Sequence, residues 1–310
     1  MSRPVSLQHL VAAIALYAGA MAAAPAKSAD WPAYRADARR SAATAEPLPP
    51  KLSLCWRYET GHAPQPAWSG RDTRMPFDRA YHVVVADGRL FFGSSADGKV
   101  HALDAATGAG LWSYTTDAPV RFAPAVWEDR VLATSDDGHL VCLAAADGRL
   151  LWKIRGGPDG SMVLGNRRMV SRWPARGGPA VADGVVYFAA GIWPSEGIFI
   201  YAVDVKSGKI LWCNDTSGSI TMGQPHGGAT AKSGVSAQGN LVVAGDVLLV
   251  PTGRAVAAAF RRSDGEFLYF DLQQNRGYGG LELLAADGVF FNRGVAFDVA
   301  SGALVDSVAR

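Results

Sequence analysis

VHALDAATGAGLWSY, at residues 100–114, is the stretch that decides the fold of this chain. It predicts a short strand, a tight turn at Thr107 and Gly108, and a second strand that carries Trp112. Just upstream, residues 89–93 (RLFFG) lie between two Asp-Gly turn dipeptides. Apolar runs of four to six residues separated by Asp-Gly and Thr-Gly turns are typical of an antiparallel meander, not of any unit that contains a helix.

The same pattern occurs five times along the chain. Its turn glycines are spaced 40, 60, 57 and 37 residues apart. A base period near forty with insertions is typical of the four-stranded blades of a β-propeller. The repeat positions are the glycines Gly108, Gly148, Gly208, Gly265 and Gly302, the aspartates Asp104, Asp204 and Asp298, and the tryptophans Trp112, Trp152 and Trp212. We therefore predict an all-β propeller of four-stranded antiparallel blades, with five repeats visible.

Each repeat residue has a physical role in this prediction. Glycine permits the positive φ of a tight turn, and the aspartate side chain bonds back to the turn amides. The tryptophan is a large apolar plate on the outermost strand of a blade, where it can pack against the next blade. A single four-stranded sheet cannot bury both of its faces, so we expect the blades to stack around an axis.

Composition and the N-terminus limit the function further. The net charge is +2 with no long basic run, so specific nucleic-acid binding has no electrostatic support. Residues 1–29 contain an apolar run at 10–24, which suits a secretory signal and is short for a membrane span. We expect an exported protein, periplasmic or extracellular, without a transmembrane domain after cleavage. The three cysteines, Cys55, Cys142 and Cys213, are expected to be small buried side chains.

The pattern A-x-D-x-x-T-G-K-x-x-W resembles the repeat of the PQQ-type, or quinoprotein-like, β-propellers. The resemblance covers roughly residues 80–308, and the opening WPAYR at 31–35 is similar to the start of large exported PQQ-repeat proteins. That family includes quinone-dependent alcohol dehydrogenases and the propeller lipoprotein of the outer-membrane barrel-assembly machinery. Its dehydrogenases hold the quinone with an adjacent cysteine pair and bind calcium through carboxylate and amide side chains, beside a catalytic aspartate. This chain has no adjacent cysteines and no matching carboxylate cluster, so we predict no catalytic, cofactor-binding or metal residues, with bound PQQ as the alternative.

Residues 52–58 (LSLCWRY) resemble the tryptophan-bearing fourth strand of a blade, without the three strands before it. We therefore divide the chain into a signal peptide at 1–29, an N-terminal segment at 30–79 with a blade-closing strand at 52–58, and propeller repeats at 80–310. Two ring sizes stay open. The five repeats are part of a seven- or eight-bladed ring, or they form a complete five-bladed ring with a distorted last blade.

Three connections between repeats are longer and richer than the others: 68–79, 157–176 and 217–238. Insertions in repeat folds usually lie on one face, and Arg and Trp are enriched at interaction hot spots. The alternative to an interaction surface is that the Arg and Trp residues of these segments only pack and form salt bridges between blades. The acidic residues of the other turns, Asp136 among them, are expected to cap their own turns. The candidate interaction surface consists of Arg71, Arg74, Arg167, Arg168, Arg172, Trp173, Arg176, His226 and Gln238.

The function predicted from the sequence is a non-catalytic binding or scaffold module that holds a protein or a small molecule at the propeller face. The first alternative is a PQQ-dependent oxidoreductase similar to alcohol or sugar dehydrogenases, or a fragment of one. The second is a scaffold in outer-membrane barrel assembly, although no cysteine follows the apolar run to carry a lipid anchor.

Overall fold

The fold of the chain, seen in a computed structural model, is built almost entirely of β-strands. The structure describes residues 30–68, 78–165, 167–224 and 227–307. These contain 25 strands, three short 3₁₀ turns and no α-helix, which confirms the predicted all-β class. The predicted signal peptide and the site candidates Arg71, Arg74 and His226 lie outside the described residues.

Five blades follow one another, and each is a four-stranded antiparallel meander. Blade 1 consists of β1 (Val83–Ala86), β2 (Arg89–Ser94), β3 (Lys99–Asp104) and β4 (Gly110–Thr115). Blade 2 consists of β5 (Ala125–Trp127), β6 (Arg130–Thr134), β7 (His139–Ala144) and β8 (Leu150–Arg155). A hairpin of β9 (Met162–Gly165) and β10 (Arg168–Ser171) follows it. Blade 3 consists of β11 (Gly177–Ala182), β12 (Val185–Ala190), β13 (Phe199–Asp204) and β14 (Ile210–Asn214).

The second half of the chain repeats this order. A hairpin of β15 (Thr221–Gly223) and β16 (Thr230–Lys232) follows blade 3, and β17 (Gly239–Asn240) pairs in parallel with β11. Blade 4 consists of β18 (Val242–Ala244), β19 (Val247–Val250), β20 (Ala258–Arg261) and β21 (Phe267–Tyr269). Blade 5 consists of β22 (Leu283–Ala286), β23 (Val289–Asn292), β24 (Val295–Asp298) and β25 (Leu304–Ser307). The 3₁₀ turns are Pro194–Glu196, Ser217–Ser219 and Arg276–Tyr278.

The repeat residues form the predicted turn. In blade 1 the Oδ1 atom of Asp104 accepts hydrogen bonds from the amide of Thr107 at 2.8 Å and from its hydroxyl at 2.7 Å. Gly108 adopts a φ of 73°, which only glycine reaches without strain. Asp204 with Ser207, and Asp298 with Ser301, repeat the same pair of bonds. The turn between the third and fourth strands is therefore held by local chemistry.

The tryptophan of each blade covers the turn glycine of the next blade. Trp112 lies over Gly148, Trp152 over Gly208, and Trp212 over Gly265. Each indole N–H also donates to a backbone oxygen of that next blade: Ala145 O at 3.0 Å, Val205 O at 3.0 Å and Arg262 O at 2.8 Å. In the fourth repeat Tyr269 takes the same place over Gly302, and its hydroxyl donates to Val299 O at 2.8 Å. The predicted packing of the tryptophans between blades is confirmed.

The hydrophobic core lies between blades. Four clusters of buried side chains join blades 1 and 2, 2 and 3, 3 and 4, and 4 and 5, and each includes the tryptophan or tyrosine of its first blade. Phe188 stacks on Tyr201 with ring centroids 4.8 Å apart in one of them. No buried cluster of the described residues joins blade 5 to blade 1. The described blades are thus held in sequence order by side-chain packing.

Residues 31–42 lie along the axis and contact all five innermost strands. Trp31 pairs with Val85 of blade 1, and the carbonyls of Ala38 and Arg39 accept hydrogen bonds from blades 4 and 5. Arg40 is 1% exposed, and its guanidinium donates to Pro179 O at 2.7 Å in blade 3 and to Leu241 O at 3.0 Å before blade 4. Burial lowers the pKa of Arg40 to about 10, so the group stays charged at neutral pH.

Two further sequence predictions concern the cysteines and the segment at 52–58. The burial predicted for the cysteines is correct for Cys142 and wrong for Cys55 and Cys213, which are exposed; all three are free thiols. Cys213 lies on the outermost strand β14, where one side faces solvent. Residues 52–58 form no strand with the described residues, although Trp56 covers Gly108 as the repeat tryptophans cover theirs. The role of this segment in closing a blade stays a prediction.

Candidate ligand pocket on the loop face

The two ends of the blades differ in their chemistry. The first-to-second and third-to-fourth strand turns are short and lie at one end, which we call the turn face. The second-to-third strand turns and the connections between blades lie at the other end, the loop face. The long connections at 157–176 and 217–238 join consecutive blades and therefore start and finish on the loop face.

A buried network of two aspartates and two arginines lies on the loop face. Arg121 Nη1 is 2.5 Å from Asp78 Oδ2, and Arg121 Nε is 2.6 Å from Asp136 Oδ2. Arg176 bonds both carboxylate oxygens of Asp136 at 3.0 Å. All four side chains are at most 5% exposed. The expectation that Asp136 caps its own turn is wrong, because its carboxylate bonds arginines from two other connections.

Within this network the pKa values of Asp136 and Arg121 are both shifted towards the charged form. Burial raises the pKa of Asp136, but the guanidinium groups of Arg176 and Arg121 outweigh burial and leave that pKa below its ordinary value. For Arg121, burial lowers the pKa and the carboxylates of Asp136 and Asp78 raise it above its usual range. A carboxylate that is ionised and doubly paired is a poor proton acceptor, so Asp136 fixes the loops around it and is poorly suited to act as a base.

Beside this network lies a pocket of about 390 Å³. The Arg176 guanidinium stacks 5.7 Å from the ring of Trp68, whose indole forms part of the pocket wall. The other walls come from loop-face connections of blades 3, 4 and 5. Its lining consists of Trp68, Ile192, Trp193, Pro194, Ser233, Gly234, Ser236, Gln238, Thr252, Gly253, Arg254, Phe270 and Leu272. The wall is mainly apolar and aromatic, as in most small-molecule sites.

Three polar groups of this pocket have no partner among the described residues. Gln238 is 7% exposed, and its Oε1 atom is buried without a hydrogen bond. The Nε1 of Trp68 is likewise buried and unbonded. Arg254 forms no salt bridge with another residue in the part of the chain that the structure describes. A buried polar atom without a partner costs about 1–3 kcal/mol, so Gln238 Oε1 and Trp68 Nε1 would each gain from a hydrogen-bond partner. Arg254 is exposed, and its guanidinium is open to an anion.

The structure places the described site candidates on the loop face but gives them different roles. Arg168 bonds Ser95 O and Ala96 O, both at 2.9 Å, and so ties hairpin β9–β10 to blade 1. Trp173 is 5% exposed, and its indole donates to Glu196 O at 2.6 Å. Arg167 and Arg172 are exposed, and Arg172 lies 3.6 Å from Glu196. Arg176 belongs to the buried network and Gln238 to the pocket.

Sequence reasoning missed most of the pocket wall. Thr252, Gly253 and Arg254 stand in the turn between the second and third strands of blade 4, and Phe270 and Leu272 stand in the connection to blade 5. Nothing breaks the repeat period at these positions. The available signal is Arg254 at a turn that carries Asp or Ser in blades 1 to 3, together with two apolar residues in a connection that should be polar.

Comparison with known proteins agrees with this architecture. A family model described as outer membrane protein assembly factor BamB matches residues 53–305. The chain belongs to this PQQ-repeat family. It is 33% identical over 175 residues, or 52% of its length, to the alcohol dehydrogenase (quinone) dehydrogenase subunit of Gluconobacter oxydans, and it spans 21% of that relative.

The PQQ-repeat protein is also similar to two further proteins. It is 31% identical over 134 residues, 42% of its length, to outer membrane protein assembly factor BamB of Yersinia pestis, and it spans 32% of that protein. The quinohemoprotein alcohol dehydrogenase of Comamonas testosteroni superposes with a TM-score of 0.63 at 18% identity, over 91% of this chain and 49% of that one. At this identity the likeness shows the propeller fold alone.

The quinone and calcium site implied by the dehydrogenase resemblance does not fit the described residues. The cysteines stand apart as three free thiols, so no adjacent pair is present to contact a quinone ring. No group of three or more His, Cys, Asp or Glu side chains in the described ranges is placed to hold a metal ion. The two central carboxylates of the loop face, Asp78 and Asp136, are bound to arginines.

Within the described ranges, no helix is long and apolar enough to cross a membrane.

Proposed function

We propose that this PQQ-repeat protein is an exported binding module whose loop-face pocket holds a planar aromatic molecule with an anionic group, without chemical change. The observation that carries the proposal is the apolar pocket itself, lined among others by Gln238 and Trp68, whose buried Oε1 and Nε1 atoms have no hydrogen-bond partner. Export is supported by the apolar run at 10–24, which suits a secretory signal.

The ligand class follows from the wall. Trp68, Trp193 and Phe270 offer aromatic faces, which favour a flat ring system by stacking. The unpaired guanidinium of Arg254 favours a carboxylate or sulfonate on the ligand. Gln238 Oε1 accepts a hydrogen bond, and Trp68 Nε1 donates one. These two groups call for an N–H or O–H donor and an acceptor on the ligand.

Binding without catalysis is supported by the residue types in the wall. The described lining contains no Asp, Glu, His, Cys or Lys, so none of these general bases stands in the lining to activate the hydroxyls of Ser233, Ser236 and Thr252. The nearby carboxylate of Asp136 is held by Arg121 and Arg176. The alternative of a quinone-dependent dehydrogenase needs a base and a cofactor pocket that these residues do not supply.

Titration with anilinonaphthalene sulfonate, a fluorescent aromatic anion, tests the proposal. We expect one saturable site, weakened about 10- to 100-fold in Arg254→Gln, because a hydrogen bond to a charged group contributes about 1.5–3 kcal/mol. Gln238→Leu should also weaken binding. Arg149→Gln, an exposed arginine on the turn face, is the matched control and should bind as the natural protein does.

Two results would contradict the proposed function. Binding that is equal in Arg254→Gln and Arg149→Gln would place the probe outside the pocket. Reduction of a redox dye by the protein with added PQQ and a primary alcohol would show catalysis, and the dehydrogenase alternative would replace the binding module.

A further inference from the structure

A small cavity lies at the loop-face end of blade 1, apart from the ligand pocket. Its volume is about 50 Å³, and it shares no lining residue with that pocket. The lining includes the aromatic residues Tyr58, Tyr81, Phe92 and His101 together with Asp97. Sites for drug-sized molecules usually measure about 300–1,000 Å³, so this cavity is suited to one compact chemical group.

The aromatic rings of the cavity are arranged around Phe92. His101 stacks on that ring with centroids 4.8 Å apart and planes inclined by 12°. Tyr81 and Tyr58 contact it with centroids 5.6 and 5.7 Å away and planes inclined by 37° and 62°. The Tyr81 hydroxyl donates to His62 O at 3.0 Å, which fixes the direction of its ring. Rings at such different inclinations cannot form one continuous stack, and an aromatic face attracts a cation that lies over it.

Asp97 supplies a negative charge that has no permanent cation as its partner. Its Oδ2 atom lies 2.9 Å from Nε2 of His101, and a histidine is charged only when it is protonated. Within the described ranges, no lysine or arginine forms a salt bridge with this carboxylate. Asp137, at the equivalent place of blade 2, lies 3.7 Å from Lys153. The carboxylate of blade 1 is therefore open to a cationic ligand.

The surroundings of Asp97 keep it ionised. Burial raises its pKa, but a hydrogen bond from Ser94, the contact with His101 and the charge of Lys99 leave that pKa below its ordinary value. Arg168 is bonded to two backbone carbonyls of the same turn. Neither Lys99 nor Arg168 forms a salt bridge with the carboxylate, so a ligand would not have to displace either of them.

We propose that this cavity binds a small organic ammonium ion, with its charge beside the Asp97 carboxylate and its alkyl groups against the aromatic rings. Alkylated ammonium groups are the ligands that aromatic cages recognise, because their charge is spread over apolar surface. A metal ion is less well served, since Asp97 is the one acidic residue in the described lining and such ions take several oxygen ligands.

Choline is the probe, and 3,3-dimethylbutan-1-ol, which has the same shape without the charge, is its matched control. With the full-length protein we expect saturable binding of choline in calorimetry, and binding of the neutral alcohol at least 10-fold weaker. Tyr81→Leu should weaken choline binding about 5- to 30-fold, as expected for the loss of one cation–π contact. Tyr81→Phe, which keeps the ring, should bind choline as the natural protein does.

The carboxylate is tested in the same way. Asp97→Asn should weaken choline binding at least 10-fold, because it removes the charge and keeps the shape of the side chain. Asp147→Asn, at an exposed turn aspartate that accepts a hydrogen bond from the Arg149 amide, is the matched control and should change nothing. Circular dichroism melts check that each variant is folded. The fluorescent probe of the ligand pocket plays no part, so this test and that of the proposed function fail separately.

Several results would overturn the proposal. No saturable binding of choline, or equal binding of choline and the neutral alcohol, would mean that the cavity does not recognise the charge. Equal losses in Tyr81→Leu and Tyr81→Phe would assign the effect to the hydroxyl instead of the ring. Unchanged binding in a folded Asp97→Asn variant would remove the carboxylate from the site. Binding to phosphatidylcholine vesicles without binding of free choline would make a membrane the partner.

Discussion

The contact between Trp152 of blade 2 and Gly208 of blade 3 allows a quantitative test of how blades hold together. Gly208 has a φ of 71°, and a Cβ atom added there would lie 2.8 Å from Trp152 Cγ. Gly184, in another turn of blade 3, has a φ of 75° and open space around its Cα. The two glycines share a backbone conformation and differ in whether a tryptophan covers them.

The expected energies follow from that difference. Alanine in a left-handed conformation costs about 1–2 kcal/mol, and Gly184→Ala should lower the free energy of unfolding by about 1 kcal/mol. Gly208→Ala carries the same cost and also displaces the ring. Displacement breaks the 3.0 Å hydrogen bond from Trp152 Nε1 to Val205 O, at about 1 kcal/mol, and opens a gap that reduces packing. We expect a total loss of about 3 kcal/mol.

Urea unfolding followed by circular dichroism measures both variants under identical conditions, and a shift of midpoint without a change of slope reports stability. In a Trp152→Ala background, Gly208→Ala should cost only what Gly184→Ala costs, giving a coupling of about 2 kcal/mol between the two positions. Equal losses for the two glycine variants in the natural background would refute the role assigned to the tryptophan.

Three further predictions concern single side chains. Arg40→Met should lower the free energy of unfolding by about 3–5 kcal/mol in urea, since it leaves the buried carbonyls of Pro179 and Leu241 without their donor. The pKa of Asp136 is lower in the folded protein than in the unfolded chain. Its stabilisation is therefore complete above the unfolded pKa of about 4 and is lost as the pH falls through the folded pKa. Asp136→Asn should be less stable at neutral pH, and thermal melts across the pH range should show that this acid dependence is lost. Tyr269→Phe, which removes the hydroxyl bonded to Val299 O, should cost about 0.5–1.5 kcal/mol by the same urea assay.

The blades were predictable from the sequence because their determinants are local. Asp104 and Thr107 bond each other across three residues, and Gly108 follows at once. The tryptophan contact was predictable for a different reason. A four-stranded sheet leaves one face unburied, and the repeat supplies a single large apolar residue on its outermost strand to cover the next blade.

The axial segment and the buried charge network were not predictable in the same way. Arg40 bonds Pro179 and Leu241, which stand 139 and 201 residues away in the chain. Asp136 sits in an Asp-Asp-Gly sequence that favours a self-capped turn, and only the fold brings Arg121 and Arg176 to it. A local pattern gives no information about partners that come from different blades.

The residues of the turn face and those of the loop face also differ in how much information they give about function. On the turn face, Gly208 and its equivalents must stay glycine, because each lies under an aromatic ring of the preceding blade. Such a constraint follows from the fold alone, so a 33% identity over 52% of the chain is evidence for architecture. On the loop face, the side chains of Gln238 and Arg254 form no hydrogen bond with another blade in the described part of the chain. The chemistry of each such propeller must therefore be argued from its loop-face residues, and here the described ones form an apolar pocket lined by Gln238, Trp68 and Arg254.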